Sequence, residues 1–337
     1  MTPTLSVLDL VPVAQGSSAA AALRDTVALA RHAERLGYVR YWFAEHHGMP
    51  GIASSAPELL IAHVAAATQR IRVGSGGIML PNHAPLRVAE AFHTLEALHP
   101  GRIDLGLGRA PGTDPVTSRA LHPFDAEQFP AQLDELLGLS RQALPAGHPS
   151  ARVRVVPAGV TLPPVYLLGS SGASARLAGA HGLGYGFARH FSPTPPAPAI
   201  QAYRESFRPS AHFERPHVVV GAAVVCADTA DEAAYHAASM ELARVRLVRG
   251  QFGPVPGPDE ALAYPYTPQE QAVVAGHRAL SFTGTPDTVR ASLHALAREV
   301  DADEIMVTTT VTDPAARRRS YELLADAFSL APAAAAA

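Results

Sequence analysis

The chain has 337 residues, a formal net charge of −3, 47% hydrophobic residues and 17% charged residues. This composition supplies a sizeable core, excludes a disordered chain and gives no electrostatic case for nucleic acid. No apolar run reaches the roughly 18 residues of a membrane span. The start, MTPTLSVLDLVPV, lacks the basic stretch of an export signal, and the lone Cys226 excludes an internal disulfide, so the cytoplasm is the expected location.

Short apolar runs alternate with helical segments. LSVLDLV (5–11) reads as the first strand, followed by a helix with Ser18 as N-cap and Gly37 as its stop. YVRYWFA (38–44) is the second strand, with a helix at 56–69 behind it. IRVGSGGIMLP (71–81) is the third, and Pro85 and Gly101 bracket the next helix. RIDLGLG (102–108) is the fourth, with a Gly- and Pro-rich loop and a helix at 127–144 after it. PVYLLG (164–169), GYGFA (184–188), HVVVGAAVVCA (217–227) and DEIMVTTT (303–310) complete eight strands, with helices at 172–181, 196–207 and 229–248 and a last one ending near Ser329. Eight alternations favour parallel strands and one (β/α)8 TIM barrel over residues 1–330; an open doubly wound sheet is the competing arrangement. Two insertions interrupt the repeat: 145–163, expected as a surface excursion or hairpin, and 248–282, a lid-like loop with five prolines after strand seven. Residues 331–337 are a low-complexity tail.

Barrels place their chemistry at the C-terminal ends of the strands. Asp9, Glu45-His46-His47, Gly76-Gly77, Asn82 (the sole asparagine), His83, Arg109, Gly169-Ser170-Ser171, His190 and Thr308 to Thr310 all fall there. GLGRAPGTD (106–114) suits a phosphate: glycines admit the ligand and Arg109 offers a fork. LLGSSGAS (167–174) suits one independently, since a Gly-Ser-Ser turn opening a helix presents amides and hydroxyls. Plainer roles compete. Arg109 could pair with Asp104 or Asp114, and the serines could merely cap a helix. A metal at His46 and His47 is disfavoured, because adjacent strand residues face opposite ways. GSSGA (169–173) also sits where a hydrolase nucleophile elbow would, with Ser171 as nucleophile, but Ala173 replaces the second glycine of that motif.

FAEHH, IRVGSGGIMLPNHAPLRVAE, HPGRIDLGLGRAPGTD, PVYLLGSS, SFTGTPDTVRASL and ADEIMVTT together resemble the bacterial luciferase-like flavin-dependent monooxygenases, in their single-chain, non-luminescent branch. The resemblance spans about residues 3–328. It implies a (β/α)8 barrel holding FMN at its C-terminal rim, reduced by a separate flavin reductase. It also implies O2 as co-substrate, a C4a-peroxyflavin, and oxygenation of a hydrophobic organic substrate. His46 matches the catalytic histidine. Glu45, Arg109, Gly169, Ser170, Ser171 and Ser174 fall at flavin-binding positions. Gly76-Gly77 matches a rare non-proline cis peptide under the flavin, where glycine relieves crowding. The implied substrate pocket takes Phe43, His47, His83, His190, Tyr264 and Tyr266. A homodimer through the helices beside strands two and three follows by analogy. Gly108 stands where light-producing members carry a reactive cysteine, so luminescence is not implied. Deazaflavin-dependent hydride transfer and flavin binding without turnover are the related alternatives.

Overall fold

The computed structural model of the chain describes residues 2–121 and 125–331. The strands are β1 (Thr4–Asp9), β2 (Arg40–Phe43), β3 (Arg72–Met79), β4 (Ile103–Gly108), β5 (Val165–Gly169), β6 (Gly184–Phe187), β7 (Val218–Cys226), β8 (Ser281–Gly284) and β9 (Glu304–Thr308). Seven parallel pairings run in order from β1 through β7 and on to β9. The pairing of β9 with β1 closes the ring. The result is a closed eight-stranded parallel barrel, and the open sheet is excluded.

The helices are α1 (Ala19–Leu36), α2 (Pro57–Ala67), α3 (Pro85–Leu98), α4 (Pro115–Leu121), α5 (Phe129–Arg141), α6 (Gly172–Ala180), α7 (Pro196–Ser206), α8 (Ala230–Val248), α9 (Pro258–Ala263), α10 (Pro268–Leu280), α11 (Pro286–Val300) and α12 (Pro314–Phe328). The signals in α1 act as expected. Ser18 Oγ accepts from the Ala21 amide, Gly37 closes the helix at φ 93°, and Leu29, Ala30 and Ala33 face the barrel.

Two segments depart from the sequence reading. The stretch 248–282 is not a structureless loop: it folds into α9 and α10 and runs into β8. Its prolines work with this fold, since Pro258 and Pro268 occupy first helical turns, where a missing N–H costs nothing. A capping box between Thr267 and Glu270 starts α10. The strand outside the ring, β8, pairs with β7 at Ala223–Cys226, on the edge that β6 has left, and so lengthens the barrel wall locally. The excursion at 145–163 forms turns and no hairpin.

Side chains sort into three layers. Tyr41, Phe43, Val73, Leu105 and Ile305 point outward into the helix layer. Leu8, Trp42, Ala44, Tyr166, Val219 and Met306 fill the barrel. Charge plugs the N-terminal end. Arg40 Nη1 donates to Asp104 at 2.7 Å and its Nε to Glu304 at 2.9 Å. Arg72 Nη2 reaches Asp104 at 2.6 Å, and Trp42 Nε1 donates to Asp104 at 3.1 Å. Burial opposes ionisation of Glu304, yet Arg40 and His217 hold its carboxyl down at about 2. Burial likewise opposes the Arg40 charge, but Glu304 and Asp104 raise its pKa well above normal.

Candidate active site

The alternation that buries Trp42 inward and Phe43 outward continues past the end of β2. Ala44 joins the barrel interior, Glu45 turns toward the loop after β3, and the next residue, His46, returns to the mouth. Glu45 is 1% exposed and saturated. Its Oε1 lies 2.9 Å from His47 Nε2 and 2.9 Å from His83 Nε2, and its Oε2 accepts from the Met79 amide at 2.9 Å. Asn82 Nδ2 reaches Glu45 at 3.4 Å and donates to the Pro111 carbonyl at 3.0 Å, so the sole asparagine ties the β3 loop to the β4 loop. Burial pushes the Glu45 carboxyl up, but hydrogen bonds from His47 and His83 outweigh it and leave it at about 2. Burial pulls His83 down, and the Glu45 carboxylate more than restores it, for a net rise.

His46 is different. Its Nδ1 is buried and has no partner among the described residues. Burial lowers its pKa, the Glu45 charge opposes this, and His47 adds to the lowering, for a net fall. His46 is therefore a neutral imidazole facing the mouth, while His47 is bound to a carboxylate. Among the described residues no cluster of three or more His, Cys, Asp or Glu side chains is placed to hold a metal ion.

The floor of the mouth is backbone. The Gly76–Gly77 peptide is cis, as the resemblance implies. A Cβ at Gly76 would come within 2.6 Å of Leu8 Cδ1, and one at Gly77 within 2.6 Å of the Gly106 carbonyl oxygen. Hydrogen at both positions lets this backbone pack directly on Leu8, Trp42, Leu168 and the β4 strand.

The phosphate features lie side by side, because β4 and β5 pair with Gly108 opposite Leu168. Arg109 is exposed. Neither acid proposed as its partner takes it: Asp104 serves Arg40 and Arg72, and Asp114 accepts from Thr117 and Val116. Ser171 stands at the N-cap of α6 but makes no capping bond, so the first amides of that helix keep their donors open. Its Oγ lies 3.3 Å from Ser174 Oγ, which also donates to the Ser171 carbonyl at 3.0 Å. A Cβ at Gly169 would collide with Ser174 Oγ, so glycine permits that packing. No histidine or acid bonds to Ser171 among the described residues, which removes the hydrolase arrangement. A guanidinium without a partner among the described residues, free helix amides and hydroxyls on adjacent strands fit a phosphate-bearing flavin, and the glycine floor fits its ring.

Several expected positions are corrected. Phe43 is fully buried in the outer layer, 5.3 Å from Tyr41 between ring centroids, and lines no pocket; strand parity dictates this once Trp42 faces inward. Glu45 spends its oxygens on His47, His83 and the Met79 amide, so it ties the rim together. Tyr264 and Tyr266 pack on each other, 4.9 Å apart, and against Ala238, Leu242 and Ala261. They stabilise the lid from within. Asp9 leaves the rim altogether: it accepts from Thr26, Tyr41 and Arg317 behind the barrel. His190 does reach the mouth. Its ring lies where a Cβ on Gly221 would be, 2.5 Å from Nδ1.

The lid docks over the first two strand ends. The Val255 amide donates to the Val13 carbonyl and the Gln15 amide to the Val255 carbonyl, both at 2.8 Å. Sequence reasoning missed this contact, which joins residues some 240 positions apart. Among the described residues no helix is long and apolar enough to cross a membrane.

The family profile described as luciferase-like monooxygenase matches residues 4–304. A luciferase-like monooxygenase of Escherichia coli (strain K12) is 45% identical over 328 residues, 96% of this chain and 97% of that protein. The N-acetyl-S-alkylcysteine monooxygenase of Bacillus subtilis (strain 168) is 35% identical, covering 96% of this chain and 97% of its own. The crystal structure of apo-MsnO8 superposes with a TM-score of 0.89 at 37% identity, covering 98% of this chain and 100% of that one. The fold, the glycine floor and these matches agree: the chain belongs to the luciferase-like monooxygenase family and is an oxidoreductase.

Proposed function

We propose that the protein is an FMN-dependent monooxygenase that takes reduced flavin from a separate reductase and uses O2 to oxygenate a hydrophobic organic substrate. The observation that carries this reading is the joint placement of Arg109 and the Ser170–Ser174 turn on one side of the mouth and His46 on another, across a floor of Gly76 and Gly77. When bound, reduced FMN supplies oxygen activation at its C4a position. The chain's own residues do the rest. Arg109, the α6 amides and Ser171 and Ser174 hold the phosphate end. His46 presents a neutral imidazole that can accept a proton or share a hydrogen bond at the mouth. The docked lid keeps bulk water away from the reacting centre.

The inward-facing residues nearest the mouth, Ala44 and the half-buried Leu168, are apolar and support an apolar substrate. The thioether named in one relative supports including sulfides among the candidates. Exposed Leu59 on α2 and Leu98 on α3 support a homodimer through those helices.

The test is to mix anaerobic protein and reduced FMN with oxygenated buffer, alone and with apolar alkenes, ketones and thioethers. The expected result is a delayed return of oxidised-flavin absorbance and an oxygenated product. Reoxidation as fast as free flavin, with no product, refutes the reading. Hydride transfer to a deazaflavin instead would reassign the cofactor. His46→Ala should still bind FMN and should release hydrogen peroxide in place of product.

A further inference from the structure

The backbone of His46 is held by one residue of its own loop. The His46 amide donates to the Ser54 carbonyl at 2.9 Å. Ser54 Oγ donates to the Ala44 carbonyl at 2.5 Å, so Ser54 grips the chain on both sides of Glu45. Ser54 is fully buried, and alanine in its place would leave the Ala44 carbonyl without that donor. The His46 ring is not gripped: its Nδ1 is buried without a partner among the described residues. The place of the ring at the mouth is therefore fixed through the main chain.

The loop that carries Ser54 is tied in turn to the lid. The Ala53 amide donates to the Val11 carbonyl and the Val13 amide to the Gly51 carbonyl, both at 2.9 Å. Pro12 and Ile52 form an antiparallel bridge. On its other side, the segment 13–15 makes the two bonds to Val255 described above. Residues 11–15 thus lie between loop 51–54 and the lid and bond to both. Their first turn is strained. Val11 has φ 53°, a left-handed conformation that a β-branched residue seldom adopts. Such strain persists only where the surroundings fix it. The fully buried Asp9 does so, accepting from the Val11 amide at 2.7 Å while Thr26, Tyr41 and Arg317 hold its carboxylate. Segment 11–15 is therefore a stiff link.

We propose that Ser54 is a positioning residue for His46, and that the docked lid fixes the His46 backbone through segment 11–15 and loop 51–54. Val255 supports Val13, Val13 supports Gly51, and Ser54 at the end of the same loop holds His46. Lid docking and placement of the histidine are then one event. Lifting the lid loosens His46, and by reciprocity a loosened His46 weakens the lid. What this placement does for catalysis rests on the monooxygenase reading; the hydrogen-bonded chain does not.

The first test is amide hydrogen exchange on flavin-free wild type, Ser54→Ala, Ser54→Thr and Gly51→Ala. Ser54→Ala should speed exchange at the His46 amide by on the order of tenfold, the worth of about one hydrogen bond. Ser54→Thr keeps the hydroxyl and should restore most of the protection. Gly51→Ala acts from the lid side and should speed exchange at Val255 and His46 together, which keeps the proposal testable if the Ser54 variants fold poorly. Amides of β3 and β4 should stay protected in all of them. The second test mixes each protein with reduced FMN and oxygenated buffer. Ser54→Ala should shorten the delay before oxidised-flavin absorbance returns, and Ser54→Thr should recover it. Wild-type protection of His46 in Ser54→Ala overturns the proposal. So does faster exchange at Val255 in Gly51→Ala with His46 unmoved, or equal speeding in β3 and β4, which would mark general destabilisation. If exchange responds as expected but the wild type shows no delay, the positioning stands and the monooxygenase reading falls.

Discussion

His83 Nε2 lies 2.9 and 3.1 Å from the two carboxylate oxygens of Glu45, and this bond joins the ends of β2 and β3 at the rim. The Glu45 carboxyl stands at about 2 in the folded protein, against an ordinary value of 4.5. A carboxyl with a lowered folded-state pKa stabilises the fold above its unfolded value, and that contribution disappears as pH falls through the folded one. The shift corresponds to about 3 kcal/mol, lost between roughly pH 4.5 and 2. His83 has the opposite sign: its raised pKa stabilises below about 6.5, and the benefit is lost as pH rises through the folded value. Glu45→Gln should remove both. Urea unfolding at pH 7 and pH 3 should show the wild type losing far more stability than the variant over that interval. Parallel losses would assign the acid sensitivity elsewhere.

Arg109 has no side-chain partner to lose among the described residues. Arg109→Ala should therefore leave the melting temperature within about 1 °C, since surface changes usually lie within ±0.5 kcal/mol. FMN affinity should fall roughly 10- to 100-fold, the worth of a charge-assisted hydrogen bond. Arg109→Lys should recover only part, because an ammonium lacks the fork. Titration by flavin fluorescence decides this, and unchanged affinity removes Arg109 from the phosphate site.

Asp104 carries the opposite expectation. It is fully buried and accepts from Arg40, Arg72 and Trp42 at once. Asp104→Ala leaves Arg40 with Glu304 and Arg72 with backbone carbonyls as their remaining acceptors, and it strands the Trp42 indole N–H at the closed end of the barrel. Breaking a buried pair in this way costs about 3–5 kcal/mol. Denaturant unfolding followed by the fluorescence of Trp42, the only tryptophan, should report it directly. A cost below about 1 kcal/mol would mean that the floor network contributes little.

These residues show what sequence could convey. The eight strands and the convergence of Glu45, His46, Gly76, Gly77, Arg109 and Ser171 were legible, because periodicity and strand ends are local signals. Phe43 was misplaced although its parity was available: His46 inward requires Trp42 inward and Phe43 outward. The Asp104 network was not legible, since Arg40 and Asp104 are 64 residues apart and only the barrel register brings them together. The lid misled for a different reason. Prolines mark loops and also first helical turns, and nothing local separated the two at Pro258 and Pro268. That is why Tyr264 and Tyr266 were assigned to the mouth instead of to the lid's own core.

The lid itself supplies the last prediction. A Cβ at Gly51 would come close to the Gly253 carbonyl oxygen, a backbone atom that cannot swing aside as a side chain can. Next to that contact, the ladder between residues 13–15 and Val255 is only two hydrogen bonds long. Gly51→Ala should therefore lift the segment around Val255 while the barrel core, which it does not touch, keeps its stability. Amide hydrogen exchange should speed up at Val255 and stay protected in β3 and β4. If water exclusion by the lid supports oxygenation, the same variant should consume O2 at a similar rate but divert it to hydrogen peroxide. Faster exchange with full product yield would mean that the lid is loosened without consequence for the reaction. Unchanged exchange would mean that Gly51 and Gly253 do not control docking at all.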